Sequence, residues 1–369
     1  MSQFAATFEA VLPVGKKPLQ LWSLLLLWLC LSPAQAYEAW ELEQRSPFNE
    51  AIQQASPLTH TPLTKANKPW KLCALVPHLK DAYWIGINYG LAKQSQVLGL
   101  GLELHEAGGY GNTQTQLAQL KSCLDGDADA ILLGAVSPHL LENQTLELTK
   151  PVLALVNQLA DSRVQTHIGV NWYQMGYLTG QFLASTPYQR LAMLAGPEGR
   201  GGTDLVEKGV RQALQDSTVE IVAVMHADNN RNLYRDQLNL LLNQNMQPLP
   251  QALLGSAVAI EAAMGTLRQG NMTDKMALVS SYLSPDVMRG LKRNKVAYAN
   301  DDRVVLQGRL AVDLAVRRLQ GEKAFGDIGP AILQLRPDNL NSMQLDDSLA
   351  PADFYPVYRV EAKASALNH

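Results

Sequence analysis

From residue 70 onward, short aliphatic or β-branched runs alternate with longer amphipathic segments. Such runs read as strands buried on both faces, and their alternation with helical segments predicts βαβ units and parallel sheets. The predicted strands are 71–76, 102–107, 130–134, 152–156 and 167–170, with helices beginning near Tyr83, Thr113 and Pro138. A second series places strands at 191–195, 220–225, 252–255, 277–280 and 296–299, separated by helices over 171–185, 203–214, 233–244, 257–267 and 286–294. A helix over 304–319 and short strands at 331–335 and 354–360 complete the pattern. The fold class expected is α/β, with two consecutive open parallel sheets of about five strands each.

The N-terminal flank breaks this rhythm. Residues 37–68 carry Pro47, Pro57 and Pro62 among many Gln, Ser and Thr, with one short amphipathic stretch at 48–52, and read as a surface lead-in. Ahead of them, Lys16 and Lys17 precede the apolar run 19–31 (LQLWSLLLLWLCL), and Ser32-Pro33-Ala34-Gln35-Ala36 supplies an A-x-A cleavage site. That is the layout of a secretory signal peptide, residues 1–36, cut after Ala36. The run is 13 residues long, shorter than the ~20 that a spanning helix needs. Bulky Trp28 and Leu29 before Cys30 argue against lipidation. The stretch before Val14 contains Glu9 and makes the basic region unusually long, so a start at Val14 would give a signal of ordinary length.

Composition narrows the function classes. The chain has 369 residues, 47% hydrophobic and 18% charged, with 31 Lys+Arg against 34 Asp+Glu and a net charge of −3. This is globular rather than disordered, and without a basic footprint no nucleic-acid partner is expected. Cys30, Cys73 and Cys123 form no CxxC and the His residues are scattered, so no metal is expected. After export only Cys73 and Cys123 remain, and an oxidising compartment invites a disulfide between them. Gly108-Gly109-Tyr110-Gly111 and the 196–202 loop (GPEGRGG) match neither GxxxxGK[ST] nor GxGxxG, so they read as tight turns and no cofactor is expected. GxSxG is absent; Ser280 and Ser281 beside Asp301 are a weak nucleophile candidate, and no enzyme is expected.

In open α/β sheets ligands bind beyond the carboxyl ends of the strands. The residues expected there include Asp81, Tyr83, Trp84, Tyr110, Trp172 and Tyr282, an unusual concentration of aromatics with few cations. Aromatic faces converging on a cleft attract a methylated, positively charged nitrogen, at about 0.5–2 kcal/mol per ring. Each ring taken alone reads first as a core residue, and it is five together at strand ends that point to a cage. Asp81 either caps the helix beginning near Tyr83 or supplies the counter-charge at the cleft, and the two roles are compatible. Asp302 falls where the chain crosses between lobes, as a hinge or a ligand contact.

Several segments carry a resemblance. They are Trp70 to Trp84 with Asn88-Tyr89-Gly90, Glu106 to Tyr110, Ala130 to Gly134, Trp172 to Tyr177, Glu261 to Gly265 and Arg289 to Arg293. Together they resemble the trimethylamine-N-oxide-sensing members of the type I periplasmic binding proteins, over residues 69–358. The resemblance implies two Rossmann-like lobes joined by a hinge, with 69–170 plus 302–325 in the first lobe and 171–301 plus 326–360 in the second. It implies a periplasmic, non-enzymatic sensor that binds trimethylamine N-oxide in the interlobe cleft and modulates a membrane histidine kinase through its periplasmic domain. Asp81, Tyr83, Trp84, Tyr110, Trp172 and Tyr282 would then be ligand-binding residues. Trp84→Ala should abolish binding and leave the fold intact. The competing expectation is a sugar-binding protein serving an ABC transporter, whose cleft would carry more Asp, Asn and Arg for the hydroxyls. Cys73 and Cys123 both lie in the matched region, at ends that share one sheet edge, which makes their pairing plausible.

Overall fold

A computed structural model describes residues 39–363 apart from Asn245 and Gln344; the signal peptide, Cys30 and Val14 lie outside the described residues. The chain opens with β1 (Trp40–Ser46) and β2 (Gln54–His60). Then come β3 (Lys71–Val76), α1 (Ala82–Leu98), β4 (Gly101–Glu106), α2 (Thr113–Asp125), β5 (Ala130–Leu133), β6 (Val152–Leu155) and β7 (Thr166–Ile168). Strands β4, β3, β5, β6 and β7 lie side by side in that order, all parallel. β5 and β6 are buried at every residue, which is why they read as unbroken aliphatic runs.

The second series gives α3 (Trp172–Ala184), β8 (Arg190–Ala195), α4 (Thr203–Leu214), β9 (Glu220–His226), α5 (Arg231–Asn243) and β10 (Ala252–Gly255). It continues with α6 (Ala257–Gln269), β11 (Ala277–Ser280), α7 (Pro285–Lys292) and β12 (Tyr298–Asp301). Its strands run β9, β8, β10, β11, β12, again parallel and in the same relative order as the first sheet. In both sheets the order reverses at the first strand, so a crevice opens beyond the carboxyl ends of β3 and β8.

The last elements are α8 (Val304–Leu319), β13 (Gly326–Pro330), β14 (Leu333–Leu335) and β15 (Arg359–Val360). The chain passes from the first sheet to the second between β7 and α3, returns between β12 and α8, and crosses again between β13 and β14.

Three local expectations are corrected. Residues 37–68 are not a bare lead-in: β1 and β2 form an antiparallel hairpin that extends the first sheet beyond β13. Trp40 and Leu42 face inward while Glu41 faces out, and Pro57 is tolerated because β2 is the edge strand. The helix expected near Pro138 is a series of turns leading to Asn143 at φ +59°; Leu140 and Leu141 are nevertheless buried. Finally, 326–360 is divided: β13 pairs with β7 and β15 with β4 in the first sheet, and only β14 joins the second, against β12.

The structure joins Cys73 on β3 to Cys123 on α2 in a disulfide, Cα to Cα 6.2 Å, within a cluster that includes Leu75, Leu120 and Ile131. It fastens a flanking helix to the central strand. Below the hinge lies a buried ionic cluster. His167 on β7 meets the Asp327 carboxylate of β13, and Asp327 Oδ2 also accepts from Asn49 N (2.8 Å) and Gln53 Nε2 (2.7 Å) at the hairpin turn. Burial opposes ionisation of Asp327, but the His167 hydrogen bond and charge, with the two amide donors, bring its carboxyl down to about 2.

Candidate functional site

The turn after β3 starts the site. Asp81 is the N-cap of α1, with Oδ1 accepting from Trp84 N at 3.1 Å, so the cap sets Tyr83 and Trp84 in the first helical turn. Trp172 enters through the same device, where the N-cap Asn171 accepts from Gln174 N at 2.9 Å and opens α3. The β4–α2 loop brings Tyr110, the end of β6 brings Val156 and Asn157, and the turn after β11 brings Tyr282. From the second lobe α5 contributes Tyr234, and the loop after β9 contributes Asn229.

These residues enclose a cavity of about 80 Å³, well below the ~300–1,000 Å³ typical of drug-sized pockets. Among its described lining residues Asp81 is the one carboxylate, and there is no Lys or Arg. Tyr83 stands at the centre of the aromatic group. Its ring lies 5.0 Å from Tyr282, edge to face, and 6.0 Å from both Trp84 and Trp172. Gly202, at φ +75°, has no side chain because a Cβ there would sit 2.6 Å from Trp172 Cγ.

The polar ends of the rings are largely occupied. Tyr83 Oη donates to Asp302 Oδ2 at 2.5 Å, and Gln307 Nε2 donates to the same oxygen at 2.9 Å. Trp84 Nε1 donates to Tyr110 Oη at 3.2 Å. Trp172 Nε1 donates to the carbonyl of Val156 at 3.3 Å, and His167 Nε2 donates to that same carbonyl at 3.0 Å. Val156 holds φ +66°, in a tight turn where Asn157 N reaches Leu155 O at 2.7 Å. A β-branched residue in that region is a backbone outlier, of the kind that surrounding structure must hold in place. Across the cleft, Asn229 Nδ2 donates to Asp81 Oδ2 at 2.6 Å, and Ser256 Oγ donates to Asn229 Oδ1 at 3.3 Å. This bridge ties the first lobe to the second over the cavity.

Burial dominates the electrostatics. It pushes the Asp81 carboxyl up, while His78, at 3.9 Å, and the amide donors hold it partly down. It also raises Asp302 to about 6, opposed by the Tyr83 hydroxyl and reinforced by neighbouring Asp301. The Tyr110 and Tyr234 phenols rise to about 12, and Tyr83 and Tyr282 higher still, all chiefly through burial. Every phenol in the cavity is therefore a neutral hydroxyl, able to donate.

The six expected residues Asp81, Tyr83, Trp84, Tyr110, Trp172 and Tyr282 all line this one cavity. Asp302 does not; it stands behind Tyr83 at the β12–α8 crossing and orients that ring through its hydroxyl. Ser280 Oγ donates to Tyr282 O, and Asp301 accepts from Ser348 Oγ and Arg303 N, so Ser280 and Asp301 are each engaged elsewhere rather than with one another. Trp84 is 1% exposed and belongs to the main core cluster as well as to the cavity wall, so Trp84→Ala would also open the core. This corrects the expectation that the substitution would spare the fold. Asn157, Asn229, Ser256 and Tyr234 were not singled out. The first three sit at strand ends or a helix cap, where position alone could have marked them. Tyr234 lies inside α5, and only the packing of that helix turns its ring to the cleft.

Geometry and ancestry agree. Residues 69–356 match the periplasmic binding proteins and sugar-binding domain of LacI family, and the chain belongs to this family of two-lobed periplasmic binding proteins. Within it, the chain is similar to periplasmic protein TorT of Escherichia coli (strain K12), 38% identical over 346 residues that cover 93% of this chain and 98% of TorT. Among solved structures, a TorS sensor domain–TorT complex in the presence of TMAO matches with a TM-score of 0.71 and 38% identity, covering 78% of this chain and 99% of that one. An ABC transporter solute binding protein from Bradyrhizobium sp. BTAi1, with bound bis-tris, matches with a TM-score of 0.75 and 32% identity, covering 87% and 98%.

Proposed function

We propose that the interlobe cavity binds trimethylamine N-oxide and that closure of the lobes around it reports occupancy to the periplasmic domain of a membrane histidine kinase, inducing anaerobic respiration of that solute. The observation that carries this reading is a cavity of about 80 Å³ walled by two Trp and four Tyr rings, with one carboxylate and no cation. A cone of methyl groups on a positive nitrogen suits those ring faces, and an uncharged solute suits the near-absence of formal charge. The TorS–TorT structure with TMAO supports both the ligand and the kinase partner. A ligand moves the lobe equilibrium only through its difference in affinity for the open and closed forms, and the ring cage is complete only when the lobes meet.

A second reading, delivery of a solute to an ABC transporter, is favoured by the 32% identical solute binding protein. A sugar in this site would meet no Arg and a single carboxylate among the described lining residues, against the charged partners expected for its hydroxyls. Calorimetric titration with trimethylamine N-oxide, choline, ribose and glucose separates the readings: heat is expected with the N-oxide, and heat with a sugar alone would overturn the proposal. Co-purification with a TorS-like kinase ectodomain, with and without the N-oxide, tests the partner.

A further inference from the structure

Resting on the N-oxide reading, the site poses one unsolved question: which group meets the ligand's oxygen. That atom is a strong acceptor and needs a donor. The Trp84 and Trp172 indole N–H groups and the Tyr83 hydroxyl are already committed within the protein, to Tyr110, Val156 and Asp302. Asp81 accepts from Trp84 N and Asn229 Nδ2.

Tyr234 is different. It is 0% exposed, it lines the cavity from α5, and its hydroxyl has no hydrogen-bond partner. Among the described residues lining the cavity it is the one buried side-chain polar atom left in that state. The neighbouring Ser256 hydroxyl donates to Asn229 Oδ1 and accepts from Ala259 N at 3.2 Å; it lies close enough to temper the rise of the Tyr234 phenol, but the two hydroxyls form no hydrogen bond of normal geometry. A buried hydroxyl without a partner destabilises the fold, so its presence at the wall of a ligand cavity calls for a reason.

We propose that Tyr234 is the specificity-determining donor of the site, its hydroxyl hydrogen-bonding the oxygen of the N-oxide and so selecting it over methylated cations that carry no acceptor. The aromatic walls are then the tolerant part of the site, and Tyr234 supplies the discrimination. A site built to hydrogen-bond a substrate rejects analogues that leave its buried polar group unpaired.

Tyr234→Phe keeps the ring and removes only the hydroxyl. Calorimetry of wild type and Y234F with trimethylamine N-oxide and with tetramethylammonium, and thermal melts without ligand, test the assignment. The N-oxide dissociation constant should rise about ten- to hundredfold in Y234F, while any tetramethylammonium binding is unchanged or tighter and the ligand-free melting temperature is equal or higher. Wild-type rejection of tetramethylammonium would equally fit a site that requires the oxygen. Unchanged N-oxide affinity in Y234F, or equal loss of both ligands, would overturn the role of Tyr234. Absence of N-oxide binding to the wild type would instead overturn the ligand reading beneath it.

Discussion

Asp302→Asn is the sharpest perturbation the β12–α8 crossing offers. The Asp302 carboxylate is 1% exposed, receives the Tyr83 hydroxyl and the Gln307 amide, and has its carboxyl raised from 3.8 to about 6, first by burial. A folded-state value above the unfolded one means that the native state holds the proton more tightly. The stability this contributes is complete below pH 3.8 and is lost as pH rises through about 6. A shift of about two units corresponds to about 3 kcal/mol. Asn at 302 has no proton to lose, and its Oδ1 still accepts from Tyr83. Urea denaturation from pH 4 to pH 7.5 should therefore show the variant gaining on the wild type by up to about 3 kcal/mol, with the gain developing between pH 4 and 6. Other buried carboxyls, such as Asp301, titrate in both proteins and largely cancel in the difference. A difference that stays constant across that range would refute the reasoning.

Gly134→Ala would place a methyl 2.6 Å from Trp84 Cη2 and 3.2 Å from Leu75 O, driving the indole into the cavity. Ligand affinity should fall while far-UV circular dichroism is retained. Asp327→Ala would leave His167 buried without its carboxylate and Arg45 with Glu43 alone and should cost about 3–5 kcal/mol in urea denaturation. Replacing both Cys73 and Cys123 with Ser releases a crosslink spanning 50 residues; loop-closure entropy puts the loss at about 4 kcal/mol, measured as a lower denaturation midpoint. Asn229→Asp sets a second carboxylate against Asp81 and should open the cleft at neutral pH, read as a larger radius of gyration in small-angle scattering; D81N/N229D should restore it.

Much of this protein follows from local chemistry. The buried strands β5 and β6 announced themselves as unbroken aliphatic runs, because a strand covered on both faces has no polar side to show. Asp81 was placed at a helix start by cap chemistry, and with it Tyr83 and Trp84 in the first turn, since a cap acts within a few residues of itself, while the helical period from 171 placed Trp172 at the start of its helix. Hence the aromatic wall of the candidate site was legible apart from Tyr234. The hairpin of β1 and β2 was less so, because an exposed edge strand carries Pro and polar residues that resemble a loop. The short strands β13 and β14 are separated by two residues yet lie in different sheets, β15 returns to the first sheet, and nothing in so short a run encodes its partner.

The sequence alone determined two repeated α/β units and a set of aromatics at strand ends, for these depend on periodicity and on neighbours along the chain. Only the tertiary structure decided that Asp302 serves Tyr83 rather than the cavity, that Asn229 spans the cleft to Asp81, and that Tyr234 presents a buried, unpaired hydroxyl to it. Each of these is a contact or a vacancy created between segments far apart in the chain. Hydrogen bonding and burial at such places depend on how the lobes close, which the pattern of residues along one segment does not carry.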